Sequence, residues 1–232
     1  MMKSFIEREN EILSILEAFN KANLKYVLVG GYAVSAYMHR FSVDADVCIS
    51  KNDLPSFKEV LKAKHFELEK RRDLEDMYNG EFECYIKKEK LPVTVDLMIG
   101  SIASRQTGAS ISFNHLFENS SIKEITGIEK TISARIPSKE ALISLKIHAA
   151  RLTDARDIAA LCHSIDFDVI SKFVNIGDLK KVQNNIKMLD SYFKSKNFKD
   201  SFKGVFSIEK LPAENIDSAV SLLNKLNGQF KF

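Results

Sequence analysis

The chain lacks tryptophan and holds few cysteines and prolines, three and four respectively in 232 residues. Cys48, Cys84 and Cys162 are scattered and odd in number, which argues against a disulfide framework and indicates reduced, buried thiols. The five histidines form no His-x-x-x-His pair, so the spacing argues against a zinc enzyme. No apolar run approaches the ~20 residues of a membrane span, and the N-terminus is too charged for a signal peptide. These absences predict a cytoplasmic protein without a membrane segment.

A paired glycine follows a short apolar run near the N-terminus. The run YVLV, residues 26–29, is typical of a buried strand, and Gly30 with Gly31 predicts a tight turn into a helix. Backbone N–H groups converge at such a turn and the helix dipole favours anions. The diglycine turn therefore suits a phosphate group, although glycine pairs after strands are also common without one.

Two aspartates alternate on the next predicted strand. Period-2 geometry sends Asp44 and Asp46 to one face and Ala45, Val47 and Ile49 to the other. Adjacent carboxylates repel each other unless a cation lies between them, and Mg²⁺ is the usual cation where phosphates are bound. An exposed strand end is the simpler alternative for an isolated Asp-x-Asp pair. The combination with the diglycine turn favours metal-assisted nucleotide chemistry.

The order of strand, Gly30-Gly31, short helix and Arg40-x-Ser42-x-Asp44-x-Asp46 resembles the signature of the DNA polymerase β-type nucleotidyltransferase superfamily. It is similar to the minimal bacterial and archaeal members, with serine where threonine is usual. The resemblance implies an α/β (α+β) nucleotidyltransferase fold, in which a mixed β-sheet is flanked by helices and followed by helices. Because Pro137 marks a break in the sequence pattern, we expect a catalytic domain at residues 1–137 and a helical C-terminal domain at 138–232.

A third carboxylate is expected on a later strand of such a fold. Residues 91–99 alternate, with apolar side chains on one face and Asp96 as the only acid on the other. A lone acid on a strand is more often solvent-facing than a ligand. Because the resemblance requires a third carboxylate, it assigns Asp96 to the same site as Asp44 and Asp46.

A second signature begins at Ser138, which is a good N-cap for a helix reaching about Ala150. Leu142, Leu145 and Ala149 are expected to form the buried stripe of this helix, with Lys146 at its border. Thr153 or Asp154 is then expected to cap a second helix.

This region resembles the Lys-x(n)-Arg-x-x-Asp-x-x-Asp segment of the abortive-infection type IV toxin nucleotidyltransferases. In those proteins the lysine and the first aspartate approach the nucleotide. The resemblance implies a catalytic and nucleotide-binding role for Lys146 and nucleotide contacts for Asp154 and Asp157. The alternative is an exposed helical hairpin whose charges pair at i,i+3 spacing.

The remaining pattern supplies the other elements. An amphipathic N-terminal helix contains Ile12 and Phe19, a helix follows at 51–64, and a charged hairpin turns near Asn79. Short strands are expected near Ile111 and at 132–136, and the chain from Ser138 onward is helical.

Lysines are concentrated between residues 180 and 203, where seven lysines face two aspartates. A helical apolar stripe in the same segment places these lysines on the opposite face. A solvated basic surface is one explanation. An electrostatic footprint for a polyanion such as tRNA is the other.

The resemblance implies a nucleotidyltransferase that moves an NMP from an NTP, such as ATP or GTP, to a hydroxyl on tRNA, protein or a small molecule. Asp44, Asp46 and Asp96 would hold two Mg²⁺ ions, with Mn²⁺ as a substitute. Gly30, Gly31, Ser35 and Arg40 would contact the nucleotide. Some relatives are toxins, so a cognate antitoxin is a candidate partner. The alternative is a non-catalytic nucleotide-binding or partner-binding module with the same fold.

Overall fold

The structure, a computed structural model, describes residues 2–74 and 80–230. The turn predicted near Asn79 lies outside these residues. The helices are α1 Met2–Lys21, α2 Gly30–Ser35, α3 Leu54–Ala63, α4 Phe113–Glu118, α5 Lys139–Ala149, α6 Leu152–Leu161, α7 Phe167–Val174, α8 Leu179–Phe193, α9 Phe198–Phe206 and α10 Ala213–Gln229. The strands are β1 Tyr26–Val29, β2 Asp44–Ile49, β3 Glu67–Leu74, β4 Gly80–Lys87, β5 Val93–Ile99, β6 Ser101–Ala103, β7 Ser110–Ser112, β8 Ser120–Thr126 and β9 Thr131–Pro137.

The central sheet has five strands in the order β1-β2-β5-β4-β3. Strand β2 pairs with β5 in parallel, while the other neighbours are antiparallel, so the sheet is mixed as predicted. Between β2 and β5 the chain forms α3 and the β3–β4 hairpin, which supplies the long connection that a parallel pair requires. The predicted fold class, a mixed sheet with flanking helices followed by a helical C-terminal part, is confirmed.

The apolar face of the sheet forms the core of its unit. Alternation along β2 and β5 buries one face completely, and the side chains that it buries are Ala45, Val47, Ile49, Val93, Val95, Leu97 and Ile99. Helix α1 packs on this core through the predicted stripe, and Phe19 meets Phe57 of α3 edge to face at 4.8 Å. Each large side chain buried in this way contributes roughly 1.5–3 kcal/mol. The opposite face of β2 and β5 carries the three aspartates.

The chain divides into two compact units, residues 1–103 with 111–137 and residues 104–110 with 138–232. Helix α5 is buried on nearly all sides in the second unit, with Ala141–Ser144 and residues 146–148 inaccessible. The predicted single stripe is therefore wrong in part: Leu145 and Ala149 are only half-buried, and Lys146 is buried rather than at a border. Ser138 caps α5 as predicted, since its hydroxyl accepts from the Ala141 N–H.

The three cysteines are buried and carry free thiols. Among the residues that the structure describes, no helix combines the length and apolarity needed to cross a membrane.

Residues 104–110 are anchored to the helical unit by hydrogen bonds. Ser104 Oγ donates to the His148 carbonyl at 2.7 Å, and Thr107 Oγ1 lies 2.9 Å from His148 Nδ1. His148 Nε2 lies 3.2 Å from the Phe173 carbonyl, which can only accept. Nε2 therefore carries the proton, and Nδ1 accepts from the threonine. Burial lowers the pKa of His148, against a smaller raising effect of the Phe173 carbonyl.

We expect the free energy of unfolding to fall on acidification, because His148 binds a proton more readily in the unfolded chain than in the folded chain. The contribution is complete above the unfolded pKa of about 6.5 and is lost as the pH falls towards the lower folded pKa, by up to about 1.4 kcal/mol per pH unit. His148→Gln should reduce the difference in unfolding free energy between pH 7 and pH 5, measured by urea denaturation. The exposed His163→Gln serves as the control and should keep the wild-type difference. A variant His148→Gln with the wild-type pH dependence would contradict this assignment.

Candidate active site

The three predicted aspartates converge on the polar face of the central sheet. Asp46 on β2 is the register partner of Asp96 on β5, and Asp44 precedes Asp46 by two residues on the same face. One carboxylate oxygen from each lies within 4.8 Å of the other two, and all three side chains are half-buried. Oxygen donors of this kind are the ligands that Mg²⁺ and similar hard cations prefer.

The diglycine turn packs directly against this cluster. Gly30 has φ +65°, and a Cβ at that position would lie 1.8 Å from Asp46 Oδ2. A Cβ on Gly31 would lie 2.4 Å from Ser42 Oγ and 2.9 Å from Arg40 Nη2. At Gly30 only glycine allows both the positive φ and the close approach, and at Gly31 the lack of a Cβ allows the approach. The turn therefore lets Asp46 into the site, in addition to the access to phosphate expected from the sequence.

Hydrogen bonds within the loop before β2 orient the first aspartate. Ser42 Oγ donates to Asp44 Oδ1 at 3.1 Å, and the Tyr32 hydroxyl donates to the Ser42 carbonyl at 3.4 Å. The Arg40 backbone N–H donates to Ser35 Oγ at 3.3 Å. Ser35 is buried and holds the loop through this bond, so its role in nucleotide binding stays a prediction.

The surroundings of the Asp96 carboxyl group raise its pKa. Burial raises the pKa of Asp96 and the neighbouring Asp44 carboxylate adds to the increase, while the nearby Cys84 thiol opposes it. Oδ1 of Asp96 is buried and has no hydrogen-bond partner among residues 2–74 and 80–230. A buried polar atom without a hydrogen-bond partner lowers the folding stability by about 1–3 kcal/mol, and a charged group lowers it by more. A cation bound to the three carboxylates would satisfy this oxygen, so the residues fit a divalent metal.

Lys146, Asp154 and Asp157 form a separate cluster within the helical unit. Lys146 Nζ lies 2.7 Å from Asp157 Oδ2 and 3.2 Å from Asp154 Oδ1, and no side chain of the three is more than 7 % exposed. Asp154 also accepts from Arg151 Nε at 2.9 Å. Burial raises the pKa of Asp154, but Arg151 and Lys146 outweigh it, so the net shift is downward. The alternative of an exposed hairpin fits only in part: the i,i+3 pair of Arg151 with Asp154 is present and Arg151 is exposed, but Lys146, Asp154 and Asp157 are buried and pair inside the unit.

The cap of α6 differs from the expectation. Arg151 is the N-cap, and Asp154, three residues later, accepts the Arg151 backbone N–H at 2.8 Å. Thr153 and Asp154 lie inside the first turn, so the predicted cap position is wrong. Asp154 stabilises the helix start from the N3 position of a capping box.

The structure brings most of the predicted residues together and adds two others. Asp44, Asp46 and Asp96 converge on the sheet, Gly30 lies against Asp46, and Gly31 lies against Arg40 in the loop that leads to β2. Sequence reasoning missed Ser42, which donates to Asp44, and Cys84, the register partner of Asp96. Ser42 had a signal, since it occupies the small hydroxyl position of the motif. Cys84 had none, because its place opposite Asp96 depends on the register of β4 against β5.

Among the solved structures that resemble this chain, one Helicobacter pylori protein has a TM-score high enough to indicate the same fold. A Helicobacter pylori protein provisionally described as a nucleotidyltransferase aligns over 99% of this chain and 97% of its own, with 18% identity and a TM-score of 0.52. JHP933 from Helicobacter pylori aligns over 97% and 93%, with 15% identity and a TM-score of 0.48. The lincosamide antibiotic adenylyltransferase LnuA with bound lincomycin aligns over 66% and 95%, with 22% identity and a TM-score of 0.43. No protein-family description and no curated protein matches the sequence.

Gly30→Ala tests the close approach of the turn to Asp46. We expect displacement of the Asp46 carboxylate together with about 1–2 kcal/mol of backbone strain, because alanine is disfavoured at positive φ. The free energy of divalent-metal binding, measured by isothermal titration calorimetry, should become weaker by more than the change in unfolding free energy.

Gly108→Ala is the matched control, since φ there is +69° and no heavy atom lies within 4 Å of the added Cβ. It should show the strain without the loss of metal affinity. Equal metal affinity in both variants would refute the packing argument.

Proposed function

We propose that the chain is a metal-dependent nucleotidyltransferase that moves an NMP from an NTP to a hydroxyl acceptor. The observation that supports this most is the convergence of Asp44, Asp46 and Asp96 beside the Gly30-Gly31 turn. The nucleotidyltransferase fold agrees with it. The abortive-infection toxin subtype, and with it a cognate antitoxin, rests on the sequence resemblance alone.

The three aspartates would hold the metal, which we take to be two Mg²⁺ ions with Mn²⁺ as a substitute. When bound, the metal would lower the pKa of the attacking hydroxyl and offset charge on the triphosphate. Asp44 and Asp46 lie on the strand next to the diglycine turn and would meet the triphosphate end of the nucleotide. Asp96 supplies the unpartnered Oδ1 from the neighbouring strand.

Arg40 would supply positive charge to the phosphates. Its guanidinium lies within 2.9 Å of the position that a Cβ on Gly31 would take, so it borders the turn that would receive the phosphates. Arginine suits this role because its planar fork donates several hydrogen bonds to phosphate oxygens.

Nucleotide contacts by Lys146, Asp154 and Asp157 stay a prediction from the resemblance. Lys146 already has two carboxylate partners, so a phosphate would have to compete with them.

RNA is the acceptor class that the charge distribution favours. The second unit contains 16 Lys and Arg against 11 Asp and Glu, a net charge of +5, whereas the first contains 18 against 20, a net charge of −2. Lys180 and Lys187 on α8 and Lys194 at its C-cap recur every seven residues and are exposed, and Lys194 pairs with Asp190. Residues seven apart lie on nearly one side of a helix, about 10 Å apart. Such a line of charge suits a phosphate backbone.

The carboxylates are tested by Asp44→Asn, Asp46→Asn and Asp96→Asn in purified protein supplied with each labelled NTP, Mg²⁺ and total RNA or lysate. Each change should lower transfer by at least about 10²–10³-fold, since a metal ligand is lost. Asp96→Asn should leave the metal-free protein at least as stable, because it removes a buried unpaired charge. Asp53→Asn is the control, since Asp53 makes no capping bond. Near-normal transfer by any of the three variants would overturn the metal assignment, and metal-dependent NTP binding without turnover would favour the non-catalytic module.

The acceptor is tested by the combined variant Lys180→Gln, Lys187→Gln and Lys194→Gln. Binding to tRNA, measured by fluorescence anisotropy at several salt concentrations, should weaken. Loss of three phosphate contacts should reduce the slope of log K against log salt by about 2. Lys25→Gln, Lys62→Gln and Lys64→Gln together form the matched control, because these exposed lysines belong to the other unit. Equal slopes in the two variants, or label that migrates with protein, would exclude RNA recognition by α8.

A further inference from the structure

A buried glutamate on the first helix is not used by the proposed chemistry. Glu9 on α1 is only 1% exposed, and its two carboxylate oxygens bond to different segments of the first unit. Oε2 accepts the backbone N–H of Ile128 at 2.8 Å, in the turn between β8 and β9. Oε1 lies 3.2 Å from Nε2 of His39, in the loop between α2 and β2. One carboxylate therefore ties the α2–β2 loop to a helix and a turn that are distant in sequence.

The surroundings of Glu9 make it a fixed acceptor for the histidine. A Cβ on Gly127 would lie 2.7 Å from Glu9 Oε2 and 2.9 Å from Leu13 Cδ1, so the β8–β9 turn packs closely over the carboxylate. Because a carboxylate only accepts hydrogen bonds, His39 Nε2 is the donor of the pair. A buried carboxylate destabilises the fold when its partner is removed. The bond to His39 is therefore a firm attachment of the loop.

The same loop carries side chains of the candidate site. Arg40 directly follows His39, and its Nη2 lies 2.9 Å from the position that a Cβ on Gly31 would take. Ser42 donates to the first aspartate of the site. The ring of Phe41 meets the His39 ring edge to face at 5.4 Å. The attachment of His39 to α1 thus restricts the backbone from which the Arg40 side chain extends.

We propose that His39 is a positioning residue for Arg40: by donating to Glu9, it holds the α2–β2 loop where the guanidinium borders the diglycine turn and can meet the phosphates of an NTP. This inference rests on the proposed function, because it adds a positioning role at the same nucleotide site. A side chain that is held in place before binding loses less conformational freedom when it engages a ligand, so the affinity is higher.

The test is the affinity for the α,β-methylene analogues of ATP, GTP, CTP and UTP with Mg²⁺, measured by isothermal titration calorimetry. These analogues block transfer of the NMP, so binding is measured without turnover. His39→Leu removes the donor, and His39→Gln retains an N–H donor that can reach Glu9. Arg40→Gln measures the loss of the phosphate contact itself. The double variant His39→Leu with Arg40→Gln completes a double-mutant cycle.

Lys130→Met is the matched control. Lys130 Nζ donates to Ser14 Oγ at 3.0 Å and to Glu17 Oε2 at 2.9 Å, so it joins the same β8–β9 turn to the same helix. Its loss loosens the attachment between turn and helix but leaves the bond of His39 to Glu9 in place. Urea denaturation establishes that each variant is folded, which we expect for His39 variants because that side chain is 35% exposed.

Arg40→Gln should weaken binding of the preferred analogue about 10- to 100-fold, since hydrogen bonds to a charged group are lost. His39→Leu should weaken it about 10-fold, the lower end of that range, and His39→Gln should restore most of the affinity. Lys130→Met should match the wild type. The double variant should bind no more weakly than Arg40→Gln alone, because His39 acts through Arg40.

Four results would overturn the positioning role and leave the proposed function intact: wild-type affinity in folded His39→Leu or in Arg40→Gln, equal loss in His39→Gln, additive losses in the double variant, or the same loss in Lys130→Met. Failure of the wild type to bind any of the four analogues would remove the proposed function and this inference with it.

Discussion

The parallel pairing of β2 with β5 is the constraint on which the candidate site depends. It sets Asp46 beside Asp96 and fixes Asp44 one step away, so three negative charges share a small volume. Two like charges less than 5 Å apart repel by about 3–4 kcal/mol at an effective dielectric constant near 20. This repulsion is offset by hydrophobic burial on the opposite face of the same strands, where alternating Val, Leu and Ile side chains are fully buried. One strand pair thus contributes its apolar face to the core and its acidic face to the site.

The protein contains two clusters of buried charge that differ in completeness. In the helical unit, Lys146 and Arg151 compensate Asp154 and Asp157, so every charge has an opposite partner within hydrogen-bonding distance. On the polar face of the sheet, the three carboxylates lie within 4.8 Å of one another, and Oδ1 of Asp96 has no hydrogen-bond partner among the described residues. The first arrangement is complete as it stands. A bound cation would offset the charge of the second, which is the physical ground for proposing metal binding at the sheet.

Much of the fold and the three aspartates could be predicted because their signals are local. Period-2 alternation identifies β2 and β5 and assigns Asp44, Asp46 and Asp96 to their faces, while Ser138 marks the start of α5. The missing parts depend on contacts between distant segments. The burial of Lys146 requires neighbours from α6, and the place of Cys84 requires the β4–β5 register. Strand β8 and helix α4 were not predicted, since β8 buries little of its surface and α4 has only six residues.

Residues 104–110 leave the first unit and join the second before the chain returns to the first at 111. The hydroxyls of Ser104 and Thr107 bond to His148, and the Thr107 carbonyl accepts the backbone N–H of Asp178 at 2.7 Å. The backbone therefore passes between the units three times. No scission of a single peptide bond yields both units with all their own residues, and a fragment that stops at Pro137 retains a seven-residue stretch that has lost its hydrogen bonds to His148 and Asp178. The two units are separate clusters of contacts, but each is built from two segments that alternate along the chain.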